Sequence, residues 1–143
     1  MLVAGSTAGP ALVLDDPLSL WGGLDPQTGQ IIDVHHPQHG ARVGGVVLFM
    51  PSGRGSSSSS STFLEAVRLR TNPAALVLAE EDDILILAAV VARSLYGITV
   101  PVGLLERSLY ELVRSGDEVA VESKCLVVHR DGSAVFDTTT TVD

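Results

Sequence analysis

The residues best suited to chemistry lie together in one stretch, the serine segment (residues 51–61). It reads Pro-Ser-Gly-Arg-Gly and continues into six consecutive serines. Serine hydroxyls and the free backbone N–H groups of a helix start can hold a negatively charged ligand. Arg54 adds a planar, permanently charged group that suits carboxylate or phosphate. The same surroundings favour a serine acting as a base, because N–H groups and an arginine stabilise an alkoxide.

The elements around the serine segment would position these groups. An apolar run at 46–50 precedes it and a helix-like stretch at 62–69 follows it. The sequence therefore predicts a strand, a glycine-bearing turn and a helix N-terminus, whereas a disordered serine linker would lack apolar flanks. The spacing alone leaves two interpretations equally open, a functional anion site and a serine-rich helix cap with exposed hydroxyls.

Two familiar motifs do not match the serine segment. A P-loop needs Gly-Lys-Ser/Thr after its glycines, and the segment contains no lysine, which disfavours a nucleotide phosphate site. A serine hydrolase places its nucleophile in Gly-x-Ser-x-Gly, whereas residues 53–57 read Gly-Arg-Gly-Ser-Ser.

Three histidines form a second cluster, His35, His36 and His39. Pro37 breaks any helical spacing between them, and no cysteine or nearby carboxylate set completes a metal shell. Histidines of a surface loop are the favoured interpretation, and no metal site is predicted in this chain.

Two further groups have plain structural interpretations that we favour. The acidic run at 80–83 could hold Mg²⁺, but acids directly before an apolar helical stretch are typical of helix capping. The Trp21-Gly22-Gly23 sequence would let another chain or ligand approach closely. A tryptophan wedged into the core beside a turn is the favoured alternative.

Composition limits the class of protein. The 143 residues are 45% hydrophobic and 18% charged, which suits one domain with a buried core. The formal net charge of -8 disfavours binding to nucleic acid or to anionic membranes. The longest apolar stretch, 84–92, is too short to cross a bilayer, and the N-terminus lacks a signal-peptide pattern, so we expect a soluble cytoplasmic protein. The lone Cys125 excludes an internal disulfide and is predicted to be a buried thiol.

Hydrophobic patterning predicts an α/β domain over residues 1–143, with its core at about 11–136 and a frayed tail at 138–143. Gly97 and Gly116 are predicted to end helices, and Asp131-Gly132 to form a hairpin turn. A mixed sheet with a parallel centre, β-rich flanks and flanking helices follows. The predicted strands are 11–14, 31–34, 42–50, 74–79, 99–102, 118–121, 125–129 and 134–136, the helices are 62–69, 84–95 and 107–114, and 18–21 is predicted to be extended.

Several separated blocks resemble, in the same order, the small subunit or swivel domain of aconitase X. The resemblance spans roughly residues 11–122. Its blocks are residues 18–29, His36-Pro37, Gly40, residues 51–58, residues 73–78 and residues 95–98.

The resemblance implies the swivelling β/β/α domain of the aconitase superfamily and a site shared with a partner. The first serine after Gly-Arg-Gly, Ser56, would be the catalytic base, with Arg54, Gly55, Ser57 and Ser58 contacting a small carboxylate substrate. An aconitase X large subunit would carry the iron–sulfur cluster, because one cysteine cannot build it. This chain would bind no cofactor itself and would be inactive alone. The sequence departs from the family pattern at 59–61, where a glycine is expected among the serines.

The resemblance also implies a dehydration. Bacterial members act on cis-3-hydroxy-L-proline, archaeal ones on mevalonate 5-phosphate, and Trp21-Gly22-Gly23 with His36-Pro37 is closer to the bacterial type. The serine would take the proton beside the carboxylate, and iron would accept the hydroxide. Two alternatives stay open, a mevalonate 5-phosphate dehydratase small subunit and a non-catalytic anion-binding or scaffolding domain, which could form a homo-oligomer when isolated.

Overall fold

A computed structural model describes residues 3–53, 58–123 and 125–138. In this part of the chain, parallel strands joined by helices come first and an antiparallel ribbon follows. The elements are β1 (Gly5–Val13), α1 (Leu20–Gly23), β2 (Leu24–Asp25), β3 (Gln30–Ile31), β4 (Val47–Met50), α2 (Ser58–Leu69), β5 (Ala75–Leu78), α3 (Asp83–Tyr96), β6 (Val102–Leu104), α4 (Arg107–Tyr110), β7 (Glu118–Ser123), β8 (Cys125–Arg130) and β9 (Ser133–Asp137).

A seven-stranded mixed sheet organises the domain, in the order β6-β5-β4-β1-β7-β8-β9. The strands β1, β4, β5 and β6 are parallel, with Leu48 between Leu12 and Leu76 in register, whereas β7, β8 and β9 pair antiparallel. Because parallel strands end at the same edge, the chain leaves β4 and β5 on one side of the sheet. The serine segment and the acidic run at 80–83 therefore lie at that common edge.

The sheet has a hydrophobic core on each face. Leu48 and Met50 of β4 pack in one cluster with Phe63 of α2 and residues of α3. Val47 and Phe49, which alternate with them, pack in a second cluster with residues of β7 and β8. The helices thus cover one face and the curled antiparallel ribbon covers the other, which confirms the predicted β/β/α architecture. All four residues of β4 are buried.

Local signals set several boundaries correctly. The glycine at 97 ends α3 in a left-handed conformation, and its N–H donates to Arg93 O over 3.0 Å. Asp131 and Gly132 form the turn between β8 and β9. Pro101 lies directly before β6, an edge strand, where a missing N–H is tolerated best.

Other predicted boundaries are wrong because tertiary pairing, not local pattern, sets them. The first strand begins at Gly5 rather than at residue 11, since residues 5–10 pair with β7 and residues 11–13 with β4. The strand predicted over 42–50 is shorter in the structure, where β4 begins only after the turn at Gly44-Gly45. The strand at 31–34 stops at Ile31, and that at 99–102 is shifted to β6.

Two predicted helical features are also corrected, and so is the burial of the thiol. The segment 18–21 is extended at Ser19 (φ -82°, ψ 117°) and non-helical at Trp21 (φ -68°, ψ 115°), although the short element α1 begins at Leu20. Helix α4 is one turn long, and Gly116 does not end it: its N–H donates to Ala11 O over 2.9 Å. Cys125 is half-buried rather than buried.

The ends of the chain lie partly outside the described residues. The predicted fraying at 138–143 can be compared only at Thr138, which is bonded to both main-chain groups of Leu126. Within the described residues, no helix is long and apolar enough to cross a bilayer. The cytoplasmic location stays a prediction.

An ion pair between the buried Asp117 and the partly exposed Arg130 fastens the ribbon to the turn before β7. Both carboxylate oxygens of Asp117 accept hydrogen bonds of 2.8 Å from Arg130, and one also accepts the Arg114 N–H at 2.8 Å. The Arg130 guanidinium holds the pKa of the Asp117 carboxyl below its ordinary value, despite its burial. A carboxyl with a lowered folded-state pKa stabilises the fold above its unfolded pKa, and that contribution is lost as pH falls through the folded one.

Replacing Asp117 with alanine should therefore lower the free energy of unfolding at pH 7 by about 1.5–3 kcal/mol, because charged hydrogen bonds are lost. The difference from wild type should shrink below about pH 4, where this carboxyl begins to protonate in the unfolded chain and the folded state loses its advantage. Urea unfolding at pH 7 and pH 3 measures both values. The exposed Glu122, replaced by alanine, is the control, and an Asp117→Ala effect that persisted undiminished at low pH would contradict this role.

Candidate functional site

The serine segment joins β4 to α2 at the carboxyl edge of the parallel strands. Its described residues are 51–53, directly after β4, and 58–61, the first turn of α2. Four of the predicted site residues, Arg54, Gly55, Ser56 and Ser57, lie outside the described residues, so their roles stay predictions. Ser58, the fifth, is the first residue of α2 and is half-buried.

Gly53 packs closely against the beginning of α3. A side chain at this position would overlap Asp82 Oδ2, with its Cβ 2.8 Å from Asp82 Cγ and 3.2 Å from Leu85 Cδ1. The Glu80 N–H also donates to Pro51 O over 2.9 Å, which ties the two loops together. The segment needs glycine here because only a residue without Cβ permits this approach.

Asp82, the residue that contacts Gly53, is also the N-cap of α3. Its Oδ1 accepts hydrogen bonds from the N–H groups of Ile84, at 2.9 Å, and Leu85, at 3.1 Å. This confirms the helix-capping interpretation of the acidic run. It also brings the N-terminal ends of α2 and α3 to the same edge of the sheet.

The two helix starts differ in charge. Helix α3 has Asp83 in its first turn, whereas α2, which is 12 residues long, has no acidic residue in its first turn. The partial positive charge of the α2 N-terminus is therefore not offset by its own side chains. Such an end attracts a carboxylate, a phosphate or an alkoxide.

Ser59 is a feature that the sequence did not single out. Its side chain lies on the buried face of α2, is 5% exposed, and its hydroxyl has no hydrogen-bond partner within the described part of the chain. A buried hydroxyl without a partner is costly, so such groups are uncommon and often occur at functional sites. Six identical serines gave no signal to distinguish it.

The turn around Trp21 borders the serine segment, because Leu18 forms a parallel bridge with Gly53. The prediction that Trp21 is wedged into the core is wrong, since its side chain is 63% exposed. Leu20 and Gly23 are buried, and Gly22, at φ +78°, reverses the backbone between them and leaves the indole outside. The other interpretation, close approach of another chain or ligand, stays open.

The histidine cluster is only partly a surface feature. His35 and His39 are exposed as predicted, whereas His36 is buried. Its Nε2 lies 3.0 Å from Asp16 O, and its Nδ1 accepts the Gln38 N–H over 3.0 Å. His36 therefore holds the loop together.

The described residues include no group of three or more His, Cys, Asp or Glu side chains arranged to hold a metal ion. The lone Cys125 begins β8, in the antiparallel ribbon, whereas the serine segment leaves β4 on the parallel side. An iron–sulfur cluster needs several cysteine ligands, so this chain does not fit one.

This protein is a β/β/α domain in which a serine-rich helix start follows the end of a parallel strand. Residues 1–129 match the family model of the aconitase X swivel domain, and the chain belongs to that family. In the holo-form crystal structure of Thermococcus kodakaraensis aconitase X, the matching chain superimposes with a TM-score of 0.74. The two are 25% identical, over 85% of this chain and 86% of the other.

Named relatives fall into two groups. The chain is 44% identical over 111 residues to Cis-3-hydroxy-L-proline dehydratase of Pseudomonas aeruginosa. The aligned region covers 78% of this chain but only 19% of that protein. It thus spans about a fifth of that relative's length. It is 32% identical over 127 residues to the Phosphomevalonate dehydratase small subunit of Methanocella arvoryzae, covering 89% of this chain and 92% of the other.

Proposed function

We propose that this chain is the small subunit, or swivel domain, of an aconitase X-type hydro-lyase that dehydrates cis-3-hydroxy-L-proline to a pyrroline-2-carboxylate. The observation that carries the proposal is the position of the serine segment, between β4 and the uncompensated N-terminus of α2. The 44% identity to a cis-3-hydroxy-L-proline dehydratase supports the choice of substrate.

Ser56 is the base in this proposal. Its alkoxide takes the proton from the ring carbon that bears the carboxylate, and the electron pair left behind forms the ring double bond. The hydroxyl leaves the adjacent carbon as hydroxide, for which the iron of the large subunit would supply a Lewis acid. The positive end of α2, two residues further along, lowers the free energy of an alkoxide at this position. Arg54 and Gly55, with Ser57 and Ser58, hold the substrate carboxylate and the negative charge that develops on it.

The second half of the site comes from an aconitase X large subunit, which carries the iron–sulfur cluster. This assignment is supported by the lack of a fitting ligand set in the described residues and by the single cysteine of the whole sequence. A relative named as a small subunit, which this chain matches over 92% of its length, also supports a two-part enzyme.

A second candidate substrate is mevalonate 5-phosphate. The near full-length match to a phosphomevalonate dehydratase small subunit favours it. Both substrates present an anionic group to the same helix start, so the loop does not separate them by charge alone.

The proposal is tested by assembling the chain with an aconitase X large subunit from the same organism and offering each substrate separately. We expect water to be eliminated from cis-3-hydroxy-L-proline, as followed by formation of the pyrroline carboxylate, and no turnover of mevalonate 5-phosphate. Turnover of mevalonate 5-phosphate alone would support the second candidate. A complex that forms but acts on neither would support a non-catalytic anion-binding domain.

A further inference from the structure

An exposed apolar surface, the Trp21 patch, consists of Trp21, Ile32 and Val34. Their exposed fractions are 63%, 44% and 71%. The Ile32 N–H donates to Gly23 O over 2.8 Å, which places the segment from Ile32 to Val34 alongside the Trp21 turn. Large apolar side chains grouped at the surface, rather than scattered singly, are typical of protein interaction sites.

The Trp21 side chain is held outside by a well-anchored turn. Leu18, Leu20 and Leu24 are buried on either side of it. The Leu24 N–H donates to Leu20 O, and the Ser19 hydroxyl donates to Trp21 O over 3.1 Å. A partner would therefore meet an aromatic anchor on an ordered backbone, which lowers the entropy cost of binding.

The patch lies beside the serine segment. Leu18 pairs with Gly53, and the three residues from Leu18 to Trp21 extend at most about 10 Å. A protein seated on Trp21 would thus extend to the edge of the sheet where the serine segment lies. A site shared between two chains needs this contiguity.

The surroundings of the patch are acidic. A cavity of about 240 Å³ beside it is lined by two carboxylates, Asp16 and Asp33, and by Pro17, Ser19, His35 and His36. The whole chain has a formal net charge of -8. A partner that complements this surface has an apolar pocket for the indole and Lys or Arg side chains on its rim.

We propose that the Trp21 patch is the docking surface for the large subunit, with Trp21 as the central anchor and the acidic rim facing basic side chains. This inference rests on the proposed function, because it takes the large subunit as the occupant. The chain spans only 19% of the Pseudomonas relative, so the greater part of an enzyme of that length would lie outside this domain.

The α3 helix offers a matched control. Leu95 is as exposed as Trp21, at 63%, but lies in the last turn of α3. That is about 18 Å along the helix from Asp83, at the start that adjoins Gly53. Exposed apolar area alone would predict the same effect for both residues.

The test titrates the purified large subunit with wild-type chain, Trp21→Ala and Leu95→Ala, by calorimetry. Loss of a central aromatic anchor should raise the Kd by at least about 30-fold, whereas Leu95→Ala should stay within about threefold. Val34→Ser, at the border, should raise the Kd by about 3- to 10-fold. Added salt should weaken wild-type binding and should weaken Asp16→Asn binding less, because a rim charge is gone.

Further readouts separate docking from catalysis. At saturating large subunit, Trp21→Ala should recover wild-type kcat, and its far-UV circular dichroism should match that of wild type. If the wild-type complex is active and Trp21→Ala binds the large subunit as tightly as wild type does, the docking surface is overturned and the proposed function still stands. A saturated Trp21→Ala complex with low kcat would also overturn it. A wild-type chain that neither binds the large subunit nor supports dehydration would overturn the proposed function itself.

Discussion

Replacing Ser56 with alanine is expected to lower kcat of the assembled enzyme by at least about 100-fold, the lower end of what a positioned general base contributes. The methyl group cannot accept the proton from the carbon beside the carboxylate. The variant should still bind the large subunit with wild-type affinity, since the change removes one oxygen atom. Steady-state rates at saturating partner and substrate measure the effect.

Ser61→Ala is the matched control for Ser56→Ala. Ser61 belongs to the same run of serines but is exposed within α2. Its replacement should leave kcat within about twofold, because exposed substitutions away from a site have small effects. A Ser56→Ala complex with undiminished kcat would refute Ser56 as the base. Equal losses in both variants would show that the serines act together as a helix start.

Replacing Gly53 with alanine is expected to damage both stability and activity. The new methyl group would overlap the Asp82 carboxylate, which caps α3. Losing that cap and overpacking the contact should together lower the free energy of unfolding by about 2–4 kcal/mol. The alternative relaxation, a shift of the segment away from Asp82, would displace Arg54 and Ser56, so kcat should fall as well.

A double-mutant cycle with Asp82→Ala tests this contact, by chemical denaturation of all four proteins. The double variant should be about as stable as Asp82→Ala alone, because the clash disappears with the carboxylate. Gly44→Ala is the control, since its Cβ would lie 3.5 Å from Thr71 O in ordinary contact. Additive effects of Gly53→Ala and Asp82→Ala would contradict the proposed clash.

The sequence predicts the elements that position the site because their signals are local. Apolar runs next to glycines and serines mark β4 and α2, and acids before an apolar helix mark the Asp82 cap. These signals act within a few residues, so no knowledge of distant contacts is needed.

The features that the sequence did not predict depend on distant contacts. Trp21 is exposed because its neighbours Leu20 and Gly23 take the buried positions. His36 is buried with both ring nitrogens in hydrogen-bond range, Nε2 at 3.0 Å from Asp16 O, twenty residues away, and Nδ1 accepting the Gln38 N–H. The polar sequence around it predicts only a surface loop. The hydroxyl of Ser59, which has no partner among the described residues, is buried only because of how α2 packs, since its neighbours in sequence are also serines.

The central claim is that this chain supplies half of an active site. It is tested most directly by measuring dehydration of cis-3-hydroxy-L-proline with this chain alone, with the large subunit alone, and with both mixed. We predict no turnover by either chain separately, and a rate that rises with added chain until the two are equimolar. Full activity of the large subunit without this chain, or no activity of the mixture, would contradict the claim.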